Sequence, residues 1–250
     1  MRLAGKSALI TGSSSGIGRA VATAFAEAGC AKLIINCPEG DEPAAESIAA
    51  ELRKLGTLSL VVTADVSLPA DCKRLAAKAI SFAGNLDILV NNAGIAHSHP
   101  VEELPVEVWD QVMAVHARGT YLMTQAIIPH MYERNEGRII NTVSQLAYKG
   151  APALSAYTAA KGAVLSFSRS VALEIGDRNV RINCVAPGAT LTPILDAVEP
   201  AVLDAIRGAI PVGRIADVSD VAPSYVFLAS SDGDHFQGQC ISPNGGDYFL

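Results

Sequence analysis

No disulfide framework is written into this chain of 250 residues. Its five cysteines, Cys30, Cys37, Cys72, Cys184 and Cys240, are odd in number and show no C-x-x-C spacing, which removes the usual zinc arrangement as well. They read as reduced thiols, mostly buried. Also missing is any stretch of ~18 uninterrupted apolar residues, so no membrane span is expected. Met1 leads through Arg2-Leu3-Ala4-Gly5-Lys6 into a strand with no apolar signal core, and a cytoplasmic protein is the expectation. Lys and Arg form no cluster, the formal charge is −6 and the pI is near 5.4, which argues against nucleic-acid and anionic-membrane partners. Small molecules or copies of the same chain remain. Pro/Ser-rich linkers, charge blocks and low-complexity tracts are absent too, so residues 1–250 are expected to form one domain.

What is present is apolar material, half of all residues, in a regular alternation. Short β-rich runs at Ser7–Thr11, Lys32–Asn36, Ser59–Thr63, Asp87–Asn91, Arg138–Val143, Arg181–Val185 and Gln239–Ser242 are separated by longer segments of helical period. In Ile17–Ala28, for example, Ile17, Val21 and Phe25 are spaced by four. Seven strands alternating with helices predict an α/β, doubly wound, mostly parallel sheet with helices on both faces. The Pro-, Gly- and Thr-rich segment 187–211 stands where a substrate lid would be, or is a plain connection.

Two local patterns carry chemistry. Tyr157-Thr-Ala-Ala-Lys161 places a phenol and an ammonium on one helix face, and Ser144 ends a strand thirteen residues earlier. A cation that favours the phenolate brings tyrosine toward use as an acid or base; alternatively the pair is an ordinary one on a solvated helix. The second pattern is Thr11-Gly12-Ser13-Ser14-Ser15-Gly16-Ile17-Gly18 between the first strand and a helix. Glycines there permit a sharp turn and leave helix N-terminal amides facing a pyrophosphate, although the spacing differs from G-x-G-x-x-G.

Thr-Gly-x-x-x-Gly-Ile-Gly at 11–18, Asn91-Asn92-Ala93-Gly94, Ser144, Tyr157-x-x-x-Lys161 and Pro187-Gly188 together resemble the short-chain dehydrogenase/reductase family, over almost the entire chain down to Gly245-Gly246. The resemblance implies a Rossmann-like domain that moves a hydride between a nicotinamide dinucleotide and a secondary alcohol or ketone. It implies Tyr157 as general acid/base, Ser144 holding the substrate oxygen, and Lys161 tuning the phenol and bonding the nicotinamide ribose. By the same likeness Gly12, Ser14, Gly16, Ile17 and Gly18 receive the pyrophosphate and ribose. Asp65 and Val66 lie at the adenine; Asn91, Ala93 and Gly94 run along the cofactor; Pro187, Gly188 and Thr192 border the nicotinamide. Asp65 also has a plainer reading, as a carboxylate at a helix N-terminus.

The family's asparagine in the fourth helix is replaced: Val115-His116-Ala117-Arg118 puts His116 there. Its imidazole either relays a proton near physiological pH or packs at a bend. The acid that would end the second strand for NAD is also replaced, by Cys37 in Asn36-Cys37-Pro38-Glu39, and Ser15 stands where NADP enzymes often carry a base. Asp41 and Glu42 follow, and Glu39 at ~6 Å would repel a 2′-phosphate by of order 1 to 3 kcal/mol. NAD is therefore expected, with NADP possible if Asn36 and the serines take the phosphate. His97-Ser98-His99 offers too few ligands for a metal site, and no metal is expected. Trp109, Met113 and Met123 read as core or subunit contacts.

The substrate is expected to be a small alcohol, sugar or polyol, met by Ile95, Gln145, Leu146, Ala151, Leu191 and Leu195. Two alternatives stand beside it. One is a 3-oxoacyl-carrier-protein reductase, which the acidic surface and the uncharged Pro129 and Leu173 disfavour; the other is a non-catalytic dinucleotide sensor. Tyr121, Leu122, Leu165, Phe167 and the terminal Asp247-Tyr248-Phe249-Leu250 suggest a homotetramer.

Overall fold

The computed structural model describes residues 1–196 and 198–249. Seven strands form one sheet: β1 (Ser7–Ile10), β2 (Lys32–Cys37), β3 (Leu58–Thr63), β4 (Ile88–Asn91), β5 (Gly137–Thr142), β6 (Val180–Val185) and β7 (Cys240–Ile241). Their order is β3-β2-β1-β4-β5-β6-β7 and every pairing is parallel. The helices are α1 (Gly16–Glu27), α2 (Glu42–Lys54), α3 (Pro69–Ala83), α4 (Val106–Met113), α5 (Gly119–Arg134), α6 (Leu146–Lys149), α7 (Ser155–Ile175), α8 (Pro200–Ala209) and α9 (Val218–Ala229).

The central strands are apolar at consecutive positions because both of their faces are covered. Ala8, Ile10, Leu33, Ile35, Ile88, Val90 and Ile140 pack with Val21 and Phe25 of α1, Ile48 and Leu52 of α2, and Val221 and Tyr225 of α9. Their neighbours Leu9, Ile34, Leu89 and Ile139 point the other way, onto Leu75 of α3, Ile127 of α5 and Ile175 of α7. This period of two splits a continuous apolar run between two cores. Each such side chain, fully withdrawn from water, contributes about 1.5–3 kcal/mol.

β7 is shorter than the expected Gln239–Ser242. Side chains hold its ends: Gln239 N–H donates to Asn183 Oδ1, and Ser242 Oγ donates to the Ala186 carbonyl. The expected fourth helix is also interrupted. Between α4 and α5 the chain makes a π-helical turn at Ala114–Arg118, a local widening within which His116 is buried.

Strand order reverses between β1 and β4, so the turns that leave these two strands diverge and open a crevice at the carboxyl edge. The continuations of β1, β4, β5 and β6 carry Gly12, Asn92, Ser144 and Pro187 respectively, all on that edge. No helix among the described residues is long and apolar enough to cross a membrane. Leu250, part of the apolar end considered above, lies outside the described residues, as does Ala197 in the 187–211 segment.

Candidate active site

Tyr157 and Lys161 occupy the first two turns of α7, and Ser144 lies just beyond β5. Ser144 Oγ accepts from Leu146 N–H at 3.2 Å, and its hydroxyl lies close enough to the Tyr157 phenol to act on its titration. Lys161 is buried and its Nζ lies 5.6 Å from the Tyr157 ring centre. Its direct partner is the Thr142 carbonyl on β5, at 2.7 Å. Thr142 is itself fixed by a hydroxyl–hydroxyl contact of 2.8 Å with Tyr225 from α9. A lysine that starts on a helix thus ends on a strand, beside the Tyr157 ring.

The electrostatics depart from expectation. Burial raises the Tyr157 phenol above its ordinary value, and the neighbouring Ser144 hydroxyl opposes this. Burial also pushes the Lys161 ammonium down to about 7. An ammonium anchored on a carbonyl and short of solvent therefore does not by itself draw the phenol toward neutrality.

His116 meets Tyr157 edge to face, with ring centres 5.4 Å apart. Its Nε2 faces both the N–H (3.0 Å) and the carbonyl (2.7 Å) of Ile95, while Nδ1 has no partner among the described residues. One nitrogen cannot donate and accept together, so the ring serves one of these two groups at a time. Burial, aided by the Lys161 charge, pushes the imidazole down to about 3. Of the two readings of His116, this burial and lowered titration favour the ring packed at a bend. It is also why position 94 is glycine, since a Cβ there would lie 2.4 Å from His116 Cε1.

The glycine turn has the shape of an anion cradle. Gly12 and Gly16 take φ of 59° and 52°, and a Cβ on Gly12 would lie 2.7 Å from Ala93 Cα. A Cβ on Gly18 would come within 2.3 Å of the Gly12 carbonyl. The α1 N-terminus has no side-chain cap and no acid in its first turn, which leaves amides and dipole available to a phosphate group. Thr192 and Pro193 descend from β6 onto this turn, 3.4 and 3.8 Å from where a Gly16 Cβ would be. These residues fit a dinucleotide.

Other expected cofactor residues have mixed placement. Ala93 and Ile17 border the turn, and Pro187 accepts Gln145 N–H at 3.0 Å through its carbonyl. Gly188 packs so tightly on Asn244 that a Cβ would lie 2.8 Å from Asn244 Cα. Val66 is buried, and Asp65 is exposed with Oδ1 accepting Ser67 N–H at 2.8 Å, the plainer local turn. The Asn91 amide donates to Asn141 Oδ1 (2.8 Å) and Thr124 Oγ1 (3.2 Å) beneath the sheet. Sequence reasoning missed Thr11 and Asn92 as functional groups. Thr11 Oγ1 accepts the N–H groups of Asn92 and Ala93, and Asn92 Nδ2 donates to the carbonyls of Thr11 and Gly12, tying the two turns of the crevice together. Both lie inside the quoted motifs, which was the available signal.

At the end of β2, Asn36 is fully engaged. Its Oδ1 accepts Gly12 N–H, and its Nδ2 lies near the carbonyls of Cys37, Val62 and Ala64. Ser14 donates to Asp41 Oδ2 at 3.0 Å. Asn36 therefore has nothing left for a phosphate. Burial raises the Cys37 thiol, and the charges of Glu42, Asp41 and Glu46 add to this, so these three, rather than Glu39, make the local field negative. Among the described residues no three His, Cys, Asp or Glu side chains gather as a metal set; His97 is exposed and His99 half-buried on the rim.

Comparison with known proteins follows this geometry. A family model described as enoyl-(acyl carrier protein) reductase matches residues 12–247. A 2,5-dichloro-2,5-cyclohexadiene-1,4-diol dehydrogenase of Sphingobium indicum is 38% identical over 245 residues, covering 98% of this chain and 97% of the relative. A 3-oxoacyl-[acyl-carrier-protein] reductase of Staphylococcus epidermidis is 32% identical over 243 residues, 97% and 99% of the two chains. The crystal structure of a candidate NAD(P)-dependent gluconate 5-dehydrogenase from Beutenbergia cavernae, with NADP at low occupancy, superposes with a TM-score of 0.92 at 31% identity, over 98% and 97% of the chains. With the Ser144, Tyr157 and Lys161 cluster beside an uncapped glycine turn, these likenesses establish that the chain belongs to the short-chain dehydrogenase/reductase family of nicotinamide-dependent oxidoreductases.

Proposed function

We propose that this enzyme is an NAD-preferring dehydrogenase of a free secondary alcohol of the sugar, polyol or cyclic diol type. The observation that carries the chemistry is the placing of the Ser144 hydroxyl beside the Tyr157 phenol, with Lys161 Nζ 5.6 Å from the phenol ring centre and anchored on the Thr142 carbonyl. When bound, the dinucleotide accepts or supplies the hydride at C4 of its nicotinamide. Tyr157 takes the hydroxyl proton in oxidation and returns it in reduction, and Ser144 orients the substrate oxygen. Lys161 holds the α7 end of the pocket to β5 and reaches the ribose. His116 positions the Gly94-Ile95 backbone and the tyrosine edge without exchanging a proton. Gly12, Ser14, Gly16, Ile17 and Gly18, with Thr192 above them, receive the pyrophosphate, and Asp65, Asn91, Gly94, Pro187 and Gly188 complete the channel.

The NAD preference rests on Asp41, Glu42 and Glu46 around Cys37 and on an Asn36 with no spare donor. Two relatives act, by their descriptions, on hydroxyl-bearing small molecules, which supports the substrate class. The second reading is reduction of a carrier-bound 3-oxoacyl thioester, supported by the likeness to the staphylococcal enzyme. Against it, Pro129 on α5 and Leu173 on α7 are exposed and uncharged where an acidic carrier would need cations. A cytoplasmic homotetramer is the form we expect.

The test is Tyr157→Phe. Turnover should fall by at least 10²-fold while NADH affinity, read by nicotinamide fluorescence, stays within about threefold. In the parent enzyme NADH should bind more tightly than NADPH. Retained turnover would remove Tyr157 from the mechanism, and tighter NADPH would bring the thioester reading forward.

A further inference from the structure

Cys184 on β6 and Cys240 on β7 stand in register across a parallel strand pair. Both belong to one small apolar cluster with Val143, Val164 and Leu165. Residues so paired have Cα atoms ~4.8 Å apart, inside the ~4.4–6.8 Å that a disulfide spans. Paired positions on neighbouring strands point to the same face of the sheet, so both thiols lie on one side, and Tyr148 packs against the same cluster. Cys184 is fully buried, whereas Cys240 is partly exposed on the edge strand.

The pair is asymmetric. The neighbouring Cys184 and Tyr148 side chains and the Arg169 charge hold the Cys240 thiol below its ordinary range, while Cys240 and burial hold Cys184 well above its own. Cys30 and Cys72 are buried, and burial pushes them up to about 12 and about 11. A reactive thiolate with a resolving thiol opposite it is the arrangement that oxidant-sensitive sites require.

We propose that Cys240 is a peroxide-reactive modification site and that Cys184 completes its oxidation as an inter-strand disulfide. The Cys240 thiolate attacks one oxygen of hydrogen peroxide; the O–O bond breaks, giving Cys240 sulfenic acid, and the other oxygen leaves as water after taking a proton. The Cys184 sulfur then attacks the sulfenic sulfur, the S–O bond breaks and a second water leaves. Two thiols lose two hydrogens and two electrons to one peroxide. β7 is only two residues long and has a neighbour on one side, so few ladder hydrogen bonds resist a shift as the bond forms. Beyond it, the Pro243 carbonyl accepts Gly188 N–H at 3.1 Å, so this shift is passed to the Pro187-Gly188 turn.

The full chain is treated with hydrogen peroxide, blocked by alkylation and digested without reductant. The denatured thiol count should fall from five per chain to three, with a Cys184 peptide joined to a Cys240 peptide and two hydrogens lighter than the pair. Dithiothreitol should restore all five. Cys240→Ser should stop the loss, and Cys184→Ser should leave a Cys240 sulfenic acid that dimedone captures. Five thiols surviving, or Cys240 passing to sulfinic acid with no joined peptide in the parent chain, would overturn the proposal. Thiol count and peptide mass do not depend on hydride transfer, so this test is separate from that of the proposed function.

Discussion

A neutral histidine set edge to face against Tyr157 has consequences that pH can read. His116 is held down to about 3 against an ordinary 6.5, so between these values the unfolded chain binds a proton that the folded one does not. His116 therefore contributes stability that is present above pH 6.5 and is lost as pH falls toward 3. His116→Asn should flatten this acid limb in chemical denaturation, since an amide supplies separate donor and acceptor atoms to Ile95. The same variant should leave the pH–rate profile between pH 6 and 9 unshifted, as the imidazole does not titrate there. A displaced profile would restore the relay role. Tyr157 and Lys161 were legible in the sequence because i and i+4 share a helix face at any tertiary arrangement. That Lys161 reaches the Thr142 carbonyl was not legible, because it depends on how α7 lies across β5. Asn141 and Thr142 sat unremarked in a stretch read as apolar, and their polar roles appear only once Ser168 and Tyr225 arrive from distant helices.

Among the elements, the strands were the readily legible part: runs of apolar residues with β-branched enrichment, bounded by turns, survive wherever both faces are covered. The π turn was not legible, since periodicity through Met113–Gly119 reads as one helix and one extra residue is absorbed without a sequence marker. A second hidden feature lies between Ser144 and Tyr157. Ala153 has φ of 59°, a conformation that favours glycine, and its carbonyl accepts His99 N–H at 2.9 Å, joining two rims of the crevice. Ala153→Gly should stabilise the protein by up to ~1 kcal/mol, and Ala153→Val should destabilise it by at least as much. Melting temperatures of the two variants moving in the same direction would contradict this account.

The whole molecule leaves apolar surface in particular places. Tyr121 meets Phe167 edge to face and is 43% exposed, and Leu173 at 84% and Phe249 at 82% are more open still. Isolated apolar residues are common on surfaces, but these lie on α5, on α7 and at the chain end, which supports burial against further copies. Light scattering at micromolar protein should return four times the 26.0 kDa chain mass; a 26.0 kDa species would refute the tetramer. The uncapped start of α1 has a different reach. Backbone donors left without side-chain partners are folding free energy that the bare chain does not collect and that a saturating ligand does. At a hundredfold excess over its dissociation constant, a dinucleotide adds about 2.7 kcal/mol to the folded state. In a chain of this size that means a melting point higher by very roughly 5–10 °C, so heat alone can rank candidate cofactors before any substrate is known.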